Sequence, residues 1–375
     1  RSPEEADDAA GGMWQGLAMA EQFSLFSGDV LGTKAEPGSD GDGRPGTRRR
    51  SAAFDPTALP VPTKIGPPSR LFGTSSWTYP GWHGRVYRDV AAYGAPTRFT
   101  ELCLAEYARD PRFRCAGADN MYYMPPSSRI ALLGRYRAQL STLPEPIELC
   151  PKVWHGITVH RYSPQQQRDW RLDSEVNPRF LDAARFLDHV ALPLQDGLGP
   201  LLGPLILELQ ESELHAAEFV RLLDDFLAQI RPRFGGRIAV ELRTQNHFTP
   251  RYLDVLSAHG AGHVLNAWTR MPGVGWQFDQ LRSRHGLDWP FFVIRALLRP
   301  GVRYDDASVY EPYDRLVLRA PEVRADILRV LRAAAEAQPC YVLVNNHLEG
   351  HSPATIAELQ SELYGCPVAA EPPSA

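Results

Sequence analysis

The chain has 375 residues, of which 43% are hydrophobic and 22% charged, a composition typical of a globular protein with a full core. The formal net charge of −4 excludes a protein that binds nucleic acid over its whole surface, but it allows a local basic groove. No apolar run approaches the ~20 residues that a membrane-spanning helix requires. Five scattered cysteines without a CxxC pair indicate reduced thiols, so we expect a cytoplasmic protein without a disulfide framework.

The first 69 residues differ in composition from the rest. Gly, Pro, Ser, Asp and Arg dominate from Gly28 to Gly66. Such a segment buries too little apolar surface to offset the entropy lost on ordering its backbone. We therefore predict a disordered extension over residues 1–69, one folded domain over 70–366 and a disordered tail over 367–375.

One short motif lies in this extension. Residues 21–26 read EQFSLF, which resembles the pentapeptide with which bacterial proteins dock on the replication sliding clamp. A flexible segment can insert Leu25 and Phe26 into apolar pockets while Gln22 anchors it by hydrogen bonds. The sliding clamp is thus a predicted partner. The alternative is a short apolar patch in a linker, or a strand that docks on the folded domain.

From residue 70 onward, short apolar runs alternate with amphipathic segments. The runs are nearly continuous, as is typical of strands covered on both faces. The eight predicted strands are residues 71–75, 113–118, 147–153, 204–209, 238–242, 263–266, 291–295 and 341–344. Eight strand–helix units in alternation predict an α/β fold, a single (β/α)8 TIM-like barrel. A doubly wound open sheet is the alternative, disfavoured because no GxGxxG follows the first strand.

Polar and aromatic residues gather where the predicted strands end. In (β/α)8 barrels the chemistry is performed at the carboxyl ends of the strands. The residues at these ends are Ser75, Trp77, Asp119, Asn120, Tyr123, Lys152, Glu208, Gln210, Glu241, Arg243, Asn266, Arg295, Asn345, Asn346 and His347. Together they favour a ligand-binding mouth. For any single residue a structural role is an equal alternative, such as a plain ion pair between Glu241 and Arg243.

Chemical character suggests roles within this set. Lys152 and Glu241 are the predicted catalytic residues, as an acid/base or anion-binding pair. Arg243 and Arg295 are expected to hold an anionic ligand such as a phosphate or carboxylate. Aromatic rings would stack on a flat or sugar-like part of the ligand, and amides would orient it. The other predicted ligand-binding residues are Trp77, Asp119, Tyr123, Glu208, Asn345 and Asn346.

A metal site is a weaker alternative. Asp119, Glu208 and Glu241 could contribute ligands, together with His155 or His347. No HxH or HExxH spacing occurs in the sequence, so we assign no metal and leave the cofactor open.

Four segments of the sequence resemble a known family. They are FGTSSWTYPGWHGRVY, LGPLILEL, AVELRTQNHF and YVLVNNHLEGHSPATIAEL, and they occur in the family's order. On them the chain is identified as a member of the YecE-like family, domain of unknown function 72, over about residues 70–364. The resemblance implies a TIM-like barrel, in agreement with the strand count. It implies no reaction, because the family's biochemical activity is not established.

The match and the departures can both be located in the sequence. The matching residues are Gly73, Trp77, Tyr79, Trp82, Gly84, Tyr87, Tyr123, Lys152, Glu241, Arg243, Asn345, Asn346 and Gly350. The departures are Gly117 and Asp119 for a usual Glu-x-Asn, residues 208–211 (ELQE) for Gln-Leu-Pro-Pro, Thr244 for a His, and residues 295–298 (RALL) for Arg-x-His-Gly. Because several polar groups are replaced, we expect this chain to bind a different ligand from its relatives or to have lost their chemistry.

Two functions follow as hypotheses. The first is a ligand-binding barrel, hydrolase-like if it is an enzyme, that acts on a phosphorylated or nucleotide-like ligand in its mouth. The second is a non-catalytic nucleic-acid or nucleotide-binding module that its tail recruits to the sliding clamp. A basic mouth would favour nucleic acid, and a narrow enclosed pocket would favour a small molecule.

Overall fold

The computed structural model of the protein describes residues 54–124, 129–170, 172–302 and 309–365. The predicted clamp-docking residues Gln22, Leu25 and Phe26 lie outside these ranges, as does the predicted tail 367–375. Within the described ranges, no helix is long and apolar enough to cross a membrane.

The described residues contain eight short strands, nearly all of whose residues are buried. They are β1 (Arg70–Thr74), β2 (Cys115–Ala118), β3 (Glu148–Pro151), β4 (Leu205–Leu209), β5 (Ile238–Leu242), β6 (Gly262–Ala267), β7 (Phe292–Ala296) and β8 (Cys340–Val344). All of the pairings are parallel, in a six-stranded sheet β1-β8-β7-β6-β5-β4 and a separate pair β2-β3. Both faces of such strands are covered, as the apolar runs predicted.

Backbone hydrogen bonds link the β2-β3 pair to the larger sheet on both sides. Next to β1, the amide of Arg114 donates to the carbonyl of Phe72 over 2.8 Å. Next to β4, the amide of Val153 donates to the carbonyl of Ile206 over 2.9 Å. The strands therefore form a closed ring, which confirms the predicted (β/α)8 barrel.

A glycine makes one of these junctions possible. A Cβ atom on Gly73 would lie only 2.0 Å from the carbonyl oxygen of Cys115 on the neighbouring strand. Real Cβ atoms never approach an oxygen so closely, so β1 and β2 can meet here only because residue 73 has no side chain.

The helices surround the ring of strands. They are α1 (Pro96–Tyr107), α2 (Arg129–Leu140), α3 (His155–Thr158), α4 (Pro164–Trp170), α5 (Ala183–Phe186), α6 (Leu192–Leu198), α7 (Ala216–Ile230), α8 (Pro250–Ala258), α9 (Val274–His285), α10 (Pro321–Ala333), α11 (Asn346–Glu349) and α12 (Ser352–Tyr364). A π-helical turn at Leu187–Ala191 joins α5 to α6. The buried face of α7 follows the helical repeat, with Phe219, Val220, Leu223, Phe226, Leu227 and Ile230.

The barrel interior is filled by one apolar cluster. Successive side chains of a strand point to opposite faces, so alternate residues line the interior. The cluster contains Leu71, Cys115, Cys150, Ile206, Ala239, Val264, Phe291, Val293, Tyr341 and Leu343. The barrel is thus a packed core, and a ligand can be received only at its ends.

Residues 54–69 form a clasp over the end of α1, which differs from the predicted disorder of this segment. The ammonium of Lys64 donates to the carbonyls of Ala108 and Asp110 over 2.6 and 2.8 Å. Arg109 donates to the carbonyl of Leu59 over 3.1 Å. Burial lowers the pKa of Lys64 to about 8, although Asp110 opposes this. Because the clasp satisfies carbonyls at the carboxyl end of a helix, it belongs to the folded domain.

Candidate functional site

The strand repeat places a polar layer directly above the apolar interior. The interior residues of β3 to β7 include Cys150, Ile206, Ala239, Val264 and Val293. The residues two positions further along are Lys152, Glu208, Glu241, Asn266 and Arg295. Because side chains two apart share a face, this second layer also faces inward, at the carboxyl ends of the strands. All five residues are buried.

One oxygen of Glu208 contacts three cationic side chains. Its Oε2 lies 2.9 Å from the Lys152 ammonium and 3.2 Å from Nη1 of Arg295. It also accepts a hydrogen bond from Nη2 of Arg243. The Glu208 side chain is only 5% exposed, so water screens these contacts weakly.

Two further carboxylates complete the arrangement. Glu241 holds Nη1 of Arg295 at 2.6 Å and Nη2 of Arg243 at 3.0 Å. Asp119 holds Nη2 of Arg295 at 2.6 Å. Three cations thus face three carboxylates, with a formal charge of zero. We call this set the mouth cluster; it consists of Asp119, Lys152, Glu208, Glu241, Arg243 and Arg295.

The charges in the mouth cluster fix the protonation of Glu208. Burial alone would raise its pKa, but Arg243, Lys152 and Arg295 together hold the pKa well below its ordinary value of 4.5. Burial alone would lower the pKa of Arg295, but the carboxylates of Asp119, Glu241 and Glu208 raise it above its ordinary value. Glu208 is therefore ionised at neutral pH and cannot serve as a proton donor.

The structure corrects one predicted pairing. Lys152 and Glu241 were expected to form the acid/base pair, but Lys152 pairs with Glu208. Glu241 has no exposed side-chain surface, and its two oxygens are held by Arg243 and Arg295. The predicted contact between Glu241 and Arg243 is present.

Several buried polar atoms around the mouth cluster lack a hydrogen-bond partner among the described residues. Donors in this state are Nε of Arg243 and Nε of Arg295, and acceptors are Oδ1 of Asp119 and Oδ1 of Asn266. An unsatisfied buried group costs roughly 1–3 kcal/mol, so native proteins rarely leave four in one place. A bound ligand or ordered water would satisfy them.

A series of hydrogen bonds from Gln277, His263 and Tyr252 holds Asn266 in place. Nε2 of Gln277 donates to the backbone carbonyl of Asn266 over 2.8 Å. Oε1 of Gln277 accepts from the backbone amide of Asn266 and from Nε2 of His263. Nδ1 of His263 then accepts from the Tyr252 hydroxyl over 2.9 Å. Burial lowers the pKa of His263 to about 4, which keeps the ring neutral. The sequence analysis considered only the ends of the strands, so it missed Tyr252 and Gln277, which lie on α8 and α9.

Aromatic side chains border the cluster on the β2–β3 side. The Lys152 ammonium lies 4.4 Å from the centre of the Tyr122 ring, within range of a cation–π contact. Trp170 stacks on His155 with their ring centres 3.9 Å apart. Tyr123 is 37% exposed and Trp170 half-buried. We call Tyr122, Tyr123, His155 and Trp170 the aromatic wall.

The indole ring of Trp268 covers the Arg243 side chain of the mouth cluster. The guanidinium carbon of Arg243 lies 4.1 Å from the centre of the Trp268 ring. Trp268 comes two residues after Asn266, so the alternation of β6 could have placed it at the mouth. Tyr122 could have been found as the neighbour of the predicted Tyr123. Trp170 lies beyond β3 on a connection whose path no periodicity determines.

Three predicted ligand-binding residues make contacts that stabilise the fold. Trp77 is 3% exposed and packs edge-on against Tyr136, with ring centres 5.2 Å apart. Asn345 caps α11 by accepting from the amide of His347. Asn346 accepts from the amide and hydroxyl of Ser352. Nε1 of Trp77 and Nδ2 of Asn346 are nevertheless buried without a hydrogen-bond partner among the described residues, so the predicted ligand contacts of these residues stay predictions.

No group of three or more His, Cys, Asp and Glu side chains within the described ranges could hold a metal ion. The carboxylates that the metal alternative required, Asp119, Glu208 and Glu241, are each engaged by Arg295. His347 is bonded to the Tyr313 hydroxyl over 2.7 Å, and burial lowers its pKa to about 4.

The fold and this site define a (β/α)8 barrel protein with a buried charged cluster at the carboxyl ends of its strands. The chain belongs to the DUF72 family: the family model described as "Protein of unknown function DUF72" matches residues 71–374. This confirms the resemblance to the YecE-like family that the sequence motifs indicated.

Two solved structures are similar to the chain. A DUF72 family protein from Enterococcus faecalis V583 is 16% identical, with 80% of this chain and 98% of that chain covered and a TM-score of 0.49. A DUF72 family protein from Thermotoga maritima MSB8 is 17% identical, with 78% and 97% covered and a TM-score of 0.47. We find no curated protein that matches the sequence.

Proposed function

We propose that the chain binds a small phosphorylated or nucleotide-like anion in the barrel mouth and hydrolyses it. The observation that carries this proposal is the convergence of Lys152, Arg243 and Arg295 on a single oxygen of Glu208. Guanidinium and ammonium groups are the side chains with which proteins hold phosphate and carboxylate groups.

The unsatisfied atoms and the aromatic wall support the same ligand class. Nε of Arg243 and Nε of Arg295 can donate to the oxygens of an anion, and Oδ1 of Asn266 can accept from a ligand hydroxyl. The partly exposed rings of Tyr123 and Trp170 offer a surface for stacking a base or a sugar.

The cluster also offers groups for hydrolysis. Asp119 is its most exposed carboxylate, at 25%, and its Oδ1 has no partner among the described residues. In the proposed reaction the water oxygen forms a bond to the ligand phosphorus while the bond from phosphorus to the leaving oxygen breaks; Asp119 takes the proton of the water, and Lys152 protonates the leaving oxygen. Glu241 acts as a positioning residue that fixes both arginines, which revises its predicted catalytic role.

Thermal unfolding of the full chain tests binding, with inorganic phosphate, nucleotides and sugar phosphates as probes. A ligand at 100 times its Kd stabilises the folded state by about 2.7 kcal/mol. Arg243→Lys keeps the charge but loses the planar fork, so we expect about tenfold weaker binding. Arg284→Lys, in an exposed pair with Asp254, is the matched control. The proposal is wrong if no probe stabilises the parent.

Hydrolysis has its own test. Asp119→Asn removes the proton acceptor but keeps the size of the side chain, so turnover should fall by about 100-fold or more while binding persists. Unchanged turnover of a probe that the parent hydrolyses would exclude Asp119 as the base.

A second candidate function rests on the EQFSLF segment. It is a non-catalytic nucleotide- or nucleic-acid-binding module that this segment recruits to the bacterial sliding clamp. The full chain should retain the clamp in a pull-down, and combined Leu25→Ala and Phe26→Ala substitutions should abolish retention. Equal retention by parent and double variant would exclude the motif.

A further inference from the structure

Glu208 occupies the position that an anionic ligand would be expected to take. Its Oε2 lies 2.9 Å from the Lys152 ammonium and 3.2 Å from the Arg295 guanidinium, and it also bonds Arg243. We infer that Glu208 is a built-in competitor, which a ligand must displace from these three cations, and that this exchange selects singly charged oxyanions. The inference rests on the proposed function.

The contacts of Glu208 distinguish it from the other deeply buried carboxylate of the cluster. Its Oε1 accepts from Nε2 of Gln210 over 2.8 Å, and Gln210 is neutral, half-buried and just beyond the end of β4. Glu241, by contrast, has both oxygens on guanidinium groups and no exposed surface. Glu208 is therefore the buried carboxylate whose second oxygen is held by a neutral group: a ligand that takes over its three cationic contacts leaves only the hydrogen bond to Gln210 to hold it in the cluster.

Charge balance determines which ligand can replace it. The mouth cluster has three positive and three negative groups, so an incoming anion with one charge restores zero when Glu208 leaves. An anion with two charges leaves one negative charge uncompensated in a buried site, which is costly. The aromatic wall borders the mouth cluster. A nucleoside phosphodiester carries one charge for the cations of the cluster and a base that can stack on the wall, so it is the ligand class that we infer.

Calorimetric titration of the full chain at pH 8 tests the inference with two matched probes. A 3′,5′-cyclic nucleoside monophosphate is a diester with one charge, and the corresponding 5′-nucleotide has about two because its second pKa is about 6. We expect the parent to bind the cyclic compound about tenfold more tightly. Glu208→Gln should bind it about tenfold more tightly again, since the competitor is then uncharged.

Gln210→Leu provides a second test at a half-buried position. It releases Oε1 of Glu208, so the cyclic nucleotide should bind about threefold more tightly. The matched control is Gln229→Leu, an exposed glutamine on α7 that donates to the carbonyl of Asp225 and should leave affinity unchanged. If Glu208→Gln does not fold, Gln210→Leu decides. A higher affinity for the cyclic nucleotide supports Glu208 as a competitor, and an unchanged or lower affinity overturns it.

The outcomes separate this inference from the proposed function. If the parent binds the cyclic nucleotide and the folded Glu208→Gln variant binds it no more tightly, Glu208 is not a competitor, although the proposed function stands. Equal affinity of the parent for both probes overturns the charge selection. If neither the parent nor the variants bind any anion, the proposed function itself fails.

Discussion

Two charged clusters in this molecule are each built around a buried glutamate, Glu208 in the mouth cluster and Glu349 in a second one, and differ in how completely their polar groups are satisfied. The second, which we call the helix-cap cluster, consists of Arg319, Arg324, Glu349, Thr355 and Glu358 and joins α10 to α12. Glu349 accepts from Nε of Arg324 over 2.8 Å and from the Thr355 hydroxyl over 2.7 Å. It also accepts from Nη2 of Arg324 and from the amide of Ala320.

The two clusters differ in how many of their buried polar atoms have partners, and this difference supports the proposed ligand site at the mouth. Both oxygens of Glu349 have two partners, and no atom of the helix-cap cluster is among the buried unsatisfied atoms of the described residues. The mouth cluster, by contrast, leaves atoms of Asp119, Arg243 and Arg295 without partners. A closed network of this kind stabilises a fold, whereas an incomplete one at a strand-end mouth has bonds left for a ligand.

The largest expected effect is on stability at the helix-cap cluster. Glu349→Ala leaves the buried Ala320 amide without its acceptor and removes two hydrogen bonds of the partly buried Arg324, so the free energy of unfolding should fall by about 3–5 kcal/mol. Urea unfolding measures this. Glu362→Ala, in an exposed pair with Arg332, should cost less than about 1 kcal/mol. Weaker anion binding by folded Glu349→Ala would break the proposed division between the clusters.

Acid should destabilise the fold through three buried histidines. Burial lowers the pKa of His263 and His347 to about 4 and that of His351, beside Arg85 and Arg112, to about 3. Their ordinary value is 6.5, so the stabilisation is complete above pH 6.5 and is lost as the pH falls toward 4. Each contributes a slope of up to about 1.4 kcal/mol per pH unit.

Urea unfolding between pH 7.5 and 5 measures this slope. His263→Gln should remove about a third of it, since one of three similar groups is lost. His189→Asn, at an exposed position, is the control and should leave the slope unchanged. A stability independent of pH over this range would contradict neutral buried histidines.

The smallest effect concerns the ring over Arg243. Trp268→Ala removes a cation–π contact worth about 1 kcal/mol, so Arg243 is held less firmly and anion affinity should fall about fivefold. Titration with the cyclic nucleotide measures it. Trp276→Ala, 42% exposed on α9, is the matched control. Unchanged affinity in Trp268→Ala would show that the ring does not position Arg243 for ligand binding.

The sequence alone located the members of the mouth cluster. Parallel strands bring their carboxyl ends together, and the twofold repeat within each strand decides which side chains face inward. Lys152, Glu208, Glu241 and Arg295 follow from these two rules. Arg243 and Asp119, at the first positions beyond their strands, follow from the first rule.

The sequence could not determine which groups pair. The contact of Lys152 with Glu208 instead of Glu241 depends on the stagger of neighbouring strands and on side-chain rotamers, neither of which a repeat encodes. The burial of Trp77 depends on the path of the connection after β1. Asn345 was a missed signal, because an asparagine directly before a short helix is a common N-cap.

The clasp formed by residues 54–69 has a practical consequence for anyone who shortens the chain. A fragment cut at the first strand would lose Lys64 and Leu59, and with them the bonds to Ala108, Asp110 and Arg109. It would also lose the edge-on packing of Phe54 against Tyr93. A fragment meant to behave like the whole barrel should therefore begin no later than residue 54, well before the first β-strand.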